Sequence, residues 1–381
     1  MSVTRTRLSD LIVIKNGKNH QALSKGPYPV YGSGGVMRYV SEYLYDGEAV
    51  LLPRKGTLSN IQYAKGKFWT VDTTYYAIVN KDKADTHFLY YLLNHLDLSG
   101  LDSGASIPSM TARTYYAIKI DLPDLTTQKR IANILSVYDD LIEANNRRIE
   151  LLEQVAQELY KEWFVRFRFP GYENTKFEDG IPEGWEIKRI VDLFDITSSK
   201  RVYLADYVDA GIPFYRSKEI IQLSQGQAIT EPLYISNAAY ENFKSKYGAP
   251  EKNDILITSV GTIGVSYLVD GHEFYFKDGN LTWIKSGSNK VLSLFLFQWL
   301  NSQSGKQQLL QSTIGTSQSA LTIENLKKIK LLVPTKALIE DYYQKAHVML
   351  EQKSALQMNN RNLAVQRDML LPRLMSGKLE V

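Results

Sequence analysis

The chain has 381 residues, more than one domain usually holds, and its 44 % hydrophobic and 23 % charged residues are those of a folded protein rather than a disordered one. It contains no cysteine, which excludes disulfides, thiolate-bound metal and a cysteine nucleophile and fits a reducing compartment. With 45 basic against 41 acidic residues the net charge is only +4, well short of a bulk nucleic-acid binder, and no segment concentrates it.

The opening stretch, through Gly17, lacks the apolar run of a secretory signal. The most apolar segment, Leu292 to Leu300, is broken by Ser293 and Gln298 and falls far short of the ~20 residues that span a membrane. It reads as a buried helix, and a cytoplasmic protein without a membrane partner is expected.

In chain order, residues 1–124 read as mixed α and β. Gly32-Ser33-Gly34-Gly35 reads as a tight turn, because Met37 stands where a dinucleotide loop needs glycine. Val50–Pro53 is an apolar run leading to the Gly56-Thr57 turn, and Phe68–Val71 is an aromatic strand ending at Asp72. Tyr75–Val79 has strand composition, a helix is expected over 88–96, and Ile118–Pro123 is a short strand closed by proline.

The same order returns over 171–334. Ile255–Thr258 leads to Gly261-Thr262, Phe274–Lys277 ends at Asp278, Leu281–Ile284 is a strand, helices are expected over 237–246 and 294–303, and Ile329–Pro334 closes the segment. Ser103–Thr111 lines up with Ile314–Thr322. Single matches carry little weight, but this ordered series is the mark of an internal duplication.

Each half is followed by a long helical pattern, over 125–170 and 335–381. The first seam is Ile131, Leu135, Tyr138, Ile142, Asn145, Ile149, Leu152, Ala156, Leu159 and Trp163, at alternating spacings of three and four. The second is Ile339, Tyr342, Ala346, Met349, Lys353, Leu356, Asn360, Leu363, Arg367 and Leu370, with three polar breaks. Leu371-Pro372 is expected to end it. At ~33 residues and 1.5 Å per residue each helix is ~50 Å long. Mutual antiparallel pairing hides both seams; the alternative is that each helix packs on its own domain. Asn145 either fixes register or sits at a solvated edge. The fold expected is α+β: two similar mixed α/β domains, 1–124 and 171–334, separated by two long helices forming an antiparallel coiled coil.

Two related domains on a spacer suit a split target on duplex DNA, whose grooves repeat every ~34–36 Å, and diverged halves imply an asymmetric site. Leu125-Thr-Thr-Gln-Lys-Arg-Ile-Ala-Asn-Ile-Leu135, Tyr138-Asp-Asp-Leu-Ile142, Arg147–Leu152, Trp163–Pro170, Ile181-Pro-Glu-Gly-Trp185 and Leu370–Leu379 resemble the conserved regions of the specificity subunits of type I restriction–modification enzymes. That resemblance implies two target recognition domains reading double-stranded DNA. It also implies a coiled coil that docks two methyltransferase subunits, and motor-nuclease subunits that complete the complex. S-adenosylmethionine, ATP and magnesium would reside on those partners, with no cofactor or catalysis on this chain. The polar breaks at Lys353, Asn360 and Arg367 depart from a regular seam.

The residues agree with that division of labour. No Pro-Pro pair of an adenine methyltransferase motif occurs, and neither Gly66-Lys67-Phe68 nor Gly305-Lys306-Gln307 completes a phosphate-cradling loop. The five histidines are dispersed and form no zinc-binding helix motif. Asp72 and Asp278 recur without a recurring partner, so a turn or a contact to a cytosine amino group is expected of them. A scaffold that organises other proteins is the competing function.

Base and phosphate contacts are expected from polar and basic side chains on loops of a rigid domain. The repeat selects Arg54, Lys55, Thr57, Ser59, Asn60, Ser106 and Arg113 in the first half. In the second it selects Ser259, Thr262, Thr316, Ser317, Gln318 and Ser319, joined by the basic pair Arg216 and Lys218. The same residue types also build turns and helix caps.

Overall fold

A computed structural model describes residues 3–56, 58–98, 101, 108–229, 231–315 and 319–380. The chain divides into two units, one of Met1–Ala144 with Asn362–Val381 and one of Asn145–Arg361.

In the first unit, strand Val3–Arg7 pairs antiparallel with Lys119–Pro123. Beside it is a six-stranded sheet in the order Ile12–Asn16, Thr74–Val79, Tyr45–Pro53, Gln62–Thr70, Lys25–Gly32, Gly35–Val40. Neighbours are antiparallel except Lys25–Gly32 beside Gln62–Thr70, which run parallel. Ala49–Leu52 are buried on both faces, as a continuous apolar run in a central strand must be. One face packs Val50 and Leu52 against Phe88, Leu89 and Leu93 of helix Thr86–His95, whose first turn is capped by the Asp85 carboxylate accepting from Phe88 N–H at 2.9 Å. Leu135 and Leu374 from the two long helices complete this core.

The second unit repeats the plan. Glu186–Arg189 pairs with Lys330–Val333, and a four-stranded antiparallel sheet runs Asp195–Thr197, Leu281–Lys285, Ile255–Thr258, Ser266–Leu268. Ile212–Tyr215 lies parallel to Tyr275–Phe276, as Lys25–Gly32 lies parallel to Gln62–Thr70. Backbone bonds repeat too. Leu8 N–H donates to Ile118 and Ile190 N–H to Ile329, while Val71 N–H donates to Tyr31 and Lys277 N–H to Tyr215. The halves diverge after the parallel strand. The first has only a hairpin there; the second carries helices Ser217–Ser224 and Asn237–Tyr247 and strand Leu233–Ile235. The apolar segment Leu292–Leu300 lies in the buried helix Lys290–Asn301. No helix among the described residues is long and apolar enough to cross a membrane.

The two long helices span Leu125–Phe164 and Lys336–Met375, 40 residues each, or ~60 Å rather than the ~50 Å expected. Every residue of the first seam is buried or half-buried. Within the first unit Asp139 pairs with Arg367; within the second, Glu153 pairs with Lys353, Asn145 with Asn360, and Trp163 meets Tyr342. Residue numbers rise on one helix as they fall on the other, so the pairing is antiparallel. The second seam follows suit: Ala346 is fully buried, and Met349, Leu356, Leu363 and Leu370 are half-buried. The expected stop at Leu371-Pro372 is corrected, since Pro372 lies inside the helix, which continues to Met375. In the last turn proline forfeits a single amide bond, and Leu374, fully buried in the first core, holds the turn in place.

Candidate nucleic-acid interface

In each unit one end of the sheet gathers several loops, and the repeat governs how. In the first, Met110 N–H donates to the Arg54 carbonyl and Arg54 N–H to the Thr73 carbonyl. Lys55 and Ser109 form a lone antiparallel bridge. In the second, Leu321 N–H donates to Ser259, Ser259 N–H donates to Asn280, and Val260 bridges Ala320. The strand ends at Pro53 and Thr258 therefore open into equivalent clusters. Thr111 and Thr322 then cap the helices that follow, accepting from Thr114 and Asn325 N–H.

The tight turn at Ser33-Gly34 joins the first cluster. Asn60 Nδ2 donates to the Ser33 carbonyl at 2.6 Å and Gln62 Nε2 to the Gly32 carbonyl at 2.8 Å. Gly56 adopts φ +91°, a left-handed conformation that favours glycine. In the second unit the segment starting at Arg216 takes this place: Ser217 Oγ donates to the Asn280 carbonyl at 3.3 Å.

The structure brings the expected residues together with unequal freedom. Arg54, Lys55, Ser59, Arg113, Thr262 and Ser319 are exposed. Arg54 lies over the Tyr75 ring at 5.8 Å, and among the described residues no carboxylate pairs with Arg54 or Lys55. Arg216 is chelated by Glu219, with Nη2 to Oε1 at 2.6 Å and Nε to Oε2 at 3.2 Å. Burial opposes the Glu219 charge, yet the Arg216 guanidinium and backbone N–H hold its carboxyl below the usual range. Lys218 is paired with Glu231 at 2.8 Å, both exposed. Ser259 is buried, and its hydroxyl pairs with Thr282 Oγ1 at 2.7 Å beneath the loop. Asn60 is half-buried with its amide engaged. Thr57, Ser106, Thr316, Ser317 and Gln318 lie outside the described residues.

Residues not singled out from sequence also reach these clusters. Lys18 N–H donates to the Thr70 carbonyl, which places it beside the Asp72 turn. Ser199 Oγ donates to Phe276, Lys200 N–H to the Tyr275 hydroxyl, and Arg201 Nε to Asp278 at 3.2 Å, so Lys200, Arg201 and Lys277 line the second cluster. The Lys200-Arg201 pair was legible as a basic dipeptide; its placement was not. Asp278 is thus an ion-pair partner, and no group of three or more potential metal ligands occurs among the described residues.

A family model for the type I restriction modification DNA specificity domain matches residues 3–154 and 182–349. The chain belongs to this family. One relative, named as a putative type I restriction enzyme specificity subunit of Haemophilus influenzae, is 30 % identical over 328 residues, covering 81 % of this chain and 76 % of its own. The MjaIX specificity subunit of Methanocaldococcus jannaschii is 26 % identical over 343 residues, covering 87 % and 78 %. The crystal structure of a type I restriction–modification S subunit from M. genitalium shares the fold, with a TM-score of 0.61 at 16 % identity over 98 % of this chain and 96 % of that one. As a specificity subunit of a type I restriction–modification complex, the chain has a DNA-recognition role.

Proposed function

We propose that this specificity subunit reads a bipartite, asymmetric DNA site, one half through each loop cluster, and catalyses nothing itself. The observation that carries the reading is the pair of equivalent clusters built on the same backbone bonds but furnished differently. Arg54-Lys55 and the Ser33 turn in one correspond to Ser259-Val260 and the Arg216 segment in the other. Equivalent frames with different side chains suit two different half-sites. Phosphates would be held by Lys18, Lys55 and Arg113 in the first cluster and by Lys200 and Lys277 in the second, with modest net charge confining contact to these ends.

The helices offer a surface for partners. Ile134, Val137 and Leu141 in the first unit, and Leu151 and Val155 in the second, are apolar residues off the seam that remain exposed. An exposed apolar stripe of this kind suits a protein partner. In this reading it docks methyltransferase subunits, two per chain, and motor-nuclease subunits complete the complex. S-adenosylmethionine, ATP and magnesium then belong to those partners.

The test is to co-express the chain with an adenine methyltransferase of the same system and map methylated sites across the host genome. A split asymmetric motif with a fixed gap, lost when this chain is omitted, is the expected result. Methylation unchanged without the chain refutes the reading and favours a scaffold that organises other proteins.

A further inference from the structure

The three polar residues that interrupt the second helix seam are each met by a polar residue of the first. Lys353 Nζ lies 2.6 Å from Glu153 Oε1, and Arg367 pairs with Asp139. Between them in sequence, Asn145 Nδ2 donates to Asn360 Oδ1 at 2.9 Å and Asn360 Nδ2 to Asn146 Oδ1 at 2.8 Å. These layers recur every seven residues: Asp139, Asn146 and Glu153 on one helix, Lys353, Asn360 and Arg367 on the other. Such spacing keeps them on one side of a coiled-coil seam. The charged members are partly buried, with 16 % of the Lys353 side chain exposed and 25 % of Arg367, so screening leaves much of their interaction.

The arrangement is symmetric in a way that discriminates between partners. The first helix carries an acid on either side of its asparagine; the second carries a base on either side. Two copies of the first helix, paired antiparallel about Asn146, would oppose Asp139 to Glu153. Two copies of the second, paired about Asn360, would oppose Lys353 to Arg367. Both homotypic pairings bring like charges together, while the pairing of first with second sets unlike charges together. We infer that this acid–asparagine–acid and base–asparagine–base ladder is a pairing code, which directs the first long helix to the second and rejects association of either with its own kind in another copy. Polar residues at seam positions weaken a coiled coil relative to leucine, and choice among partners is what they provide in return.

The code is independent of DNA recognition and is tested without DNA. The 381-residue chain is refolded from denaturant over a range of concentrations, and its mass is followed by light scattering. Because the chain has no cysteine, an added pair, Ile149→Cys with Leu356→Cys, reports intrachain pairing on oxidation. Glu153→Lys places attractive charges across the homotypic pair of first helices and repulsive ones in the native pair. It is expected to bring self-association to at least tenfold lower concentration and to reduce the intrachain crosslink, while Glu153→Asp behaves as the parent. Lys353→Glu, the mirror change on the other helix, is expected to do the same and serves if the first variant fails to fold. A parent chain that already dimerises through like helices overturns the inference. So do charge-reversed variants that refold with the parent's mass and crosslink.

Discussion

The backbone N–H of Met110 donates to the carbonyl of Arg54 at 3.0 Å, and the bond from Leu321 to Ser259 repeats it at 2.9 Å in the other half of the chain. Segments more than fifty residues apart in sequence are thereby joined at the end of a sheet, twice. Duplication has preserved the frame that positions each loop cluster and let the side chains on it change.

Arg54 and Lys55 stand on this frame, exposed and without a carboxylate partner among the described residues. Replacing both with alanine is expected to leave the melting temperature unchanged and weaken DNA binding of the complex. For every phosphate no longer neutralised, the slope of log K against log salt becomes shallower by about 0.9. Titrations at several salt concentrations check this; an unchanged slope and affinity would remove these residues from the interface.

Ser259 should behave in the opposite way. Ser259→Ala strips the buried Thr282 hydroxyl of its partner and is expected to cost about 1–2 kcal/mol of stability. The methylated motif stays the same. Denaturant melts and methylation mapping together separate this from a base contact, which would alter the motif.

Acid should loosen the Arg216 segment. The folded Glu219 carboxyl lies below its ordinary value of ~4.3, so its pair with Arg216 stabilises the fold above that pH. The contribution is lost as pH falls through the folded value. Glu219→Gln is therefore expected to melt below the parent at neutral pH, with the gap closing under pH ~4. A gap that persists in acid would contradict the assignment.

The exposed stripe predicts a separable defect. Val137 and Leu141 are 55 % and 47 % exposed. Changing both to glutamate is expected to preserve folding, since neither supports a core, and to abolish co-purification with the methyltransferase. Undiminished recovery of the complex would move the docking surface elsewhere.

Periodicity and order revealed most of the architecture. Both seams, the duplicated strands and the buried helix at Leu292–Leu300 follow from apolar spacing, which is a local property of sequence. Three features did not show. Pro372 reads as a stop, yet its turn is held by Leu374 in a core assembled from distant segments. Ser259 reads as a loop residue, but its hydroxyl is tied to Thr282 on the neighbouring strand. Lys353, Asn360 and Arg367 read as defects because their partners lie on the other helix, about two hundred or more residues away in sequence. In each case the deciding contact is long-range.

The central claim, that each half of the chain reads one half of a split site, is tested most directly by exchanging residues 1–124 for the corresponding segment of another family member. The hybrid is co-expressed with the methyltransferase and its methylated sites are mapped. The predicted result is a motif altered in one half only, with the other half unchanged. A motif altered in both halves, or in neither, would contradict it.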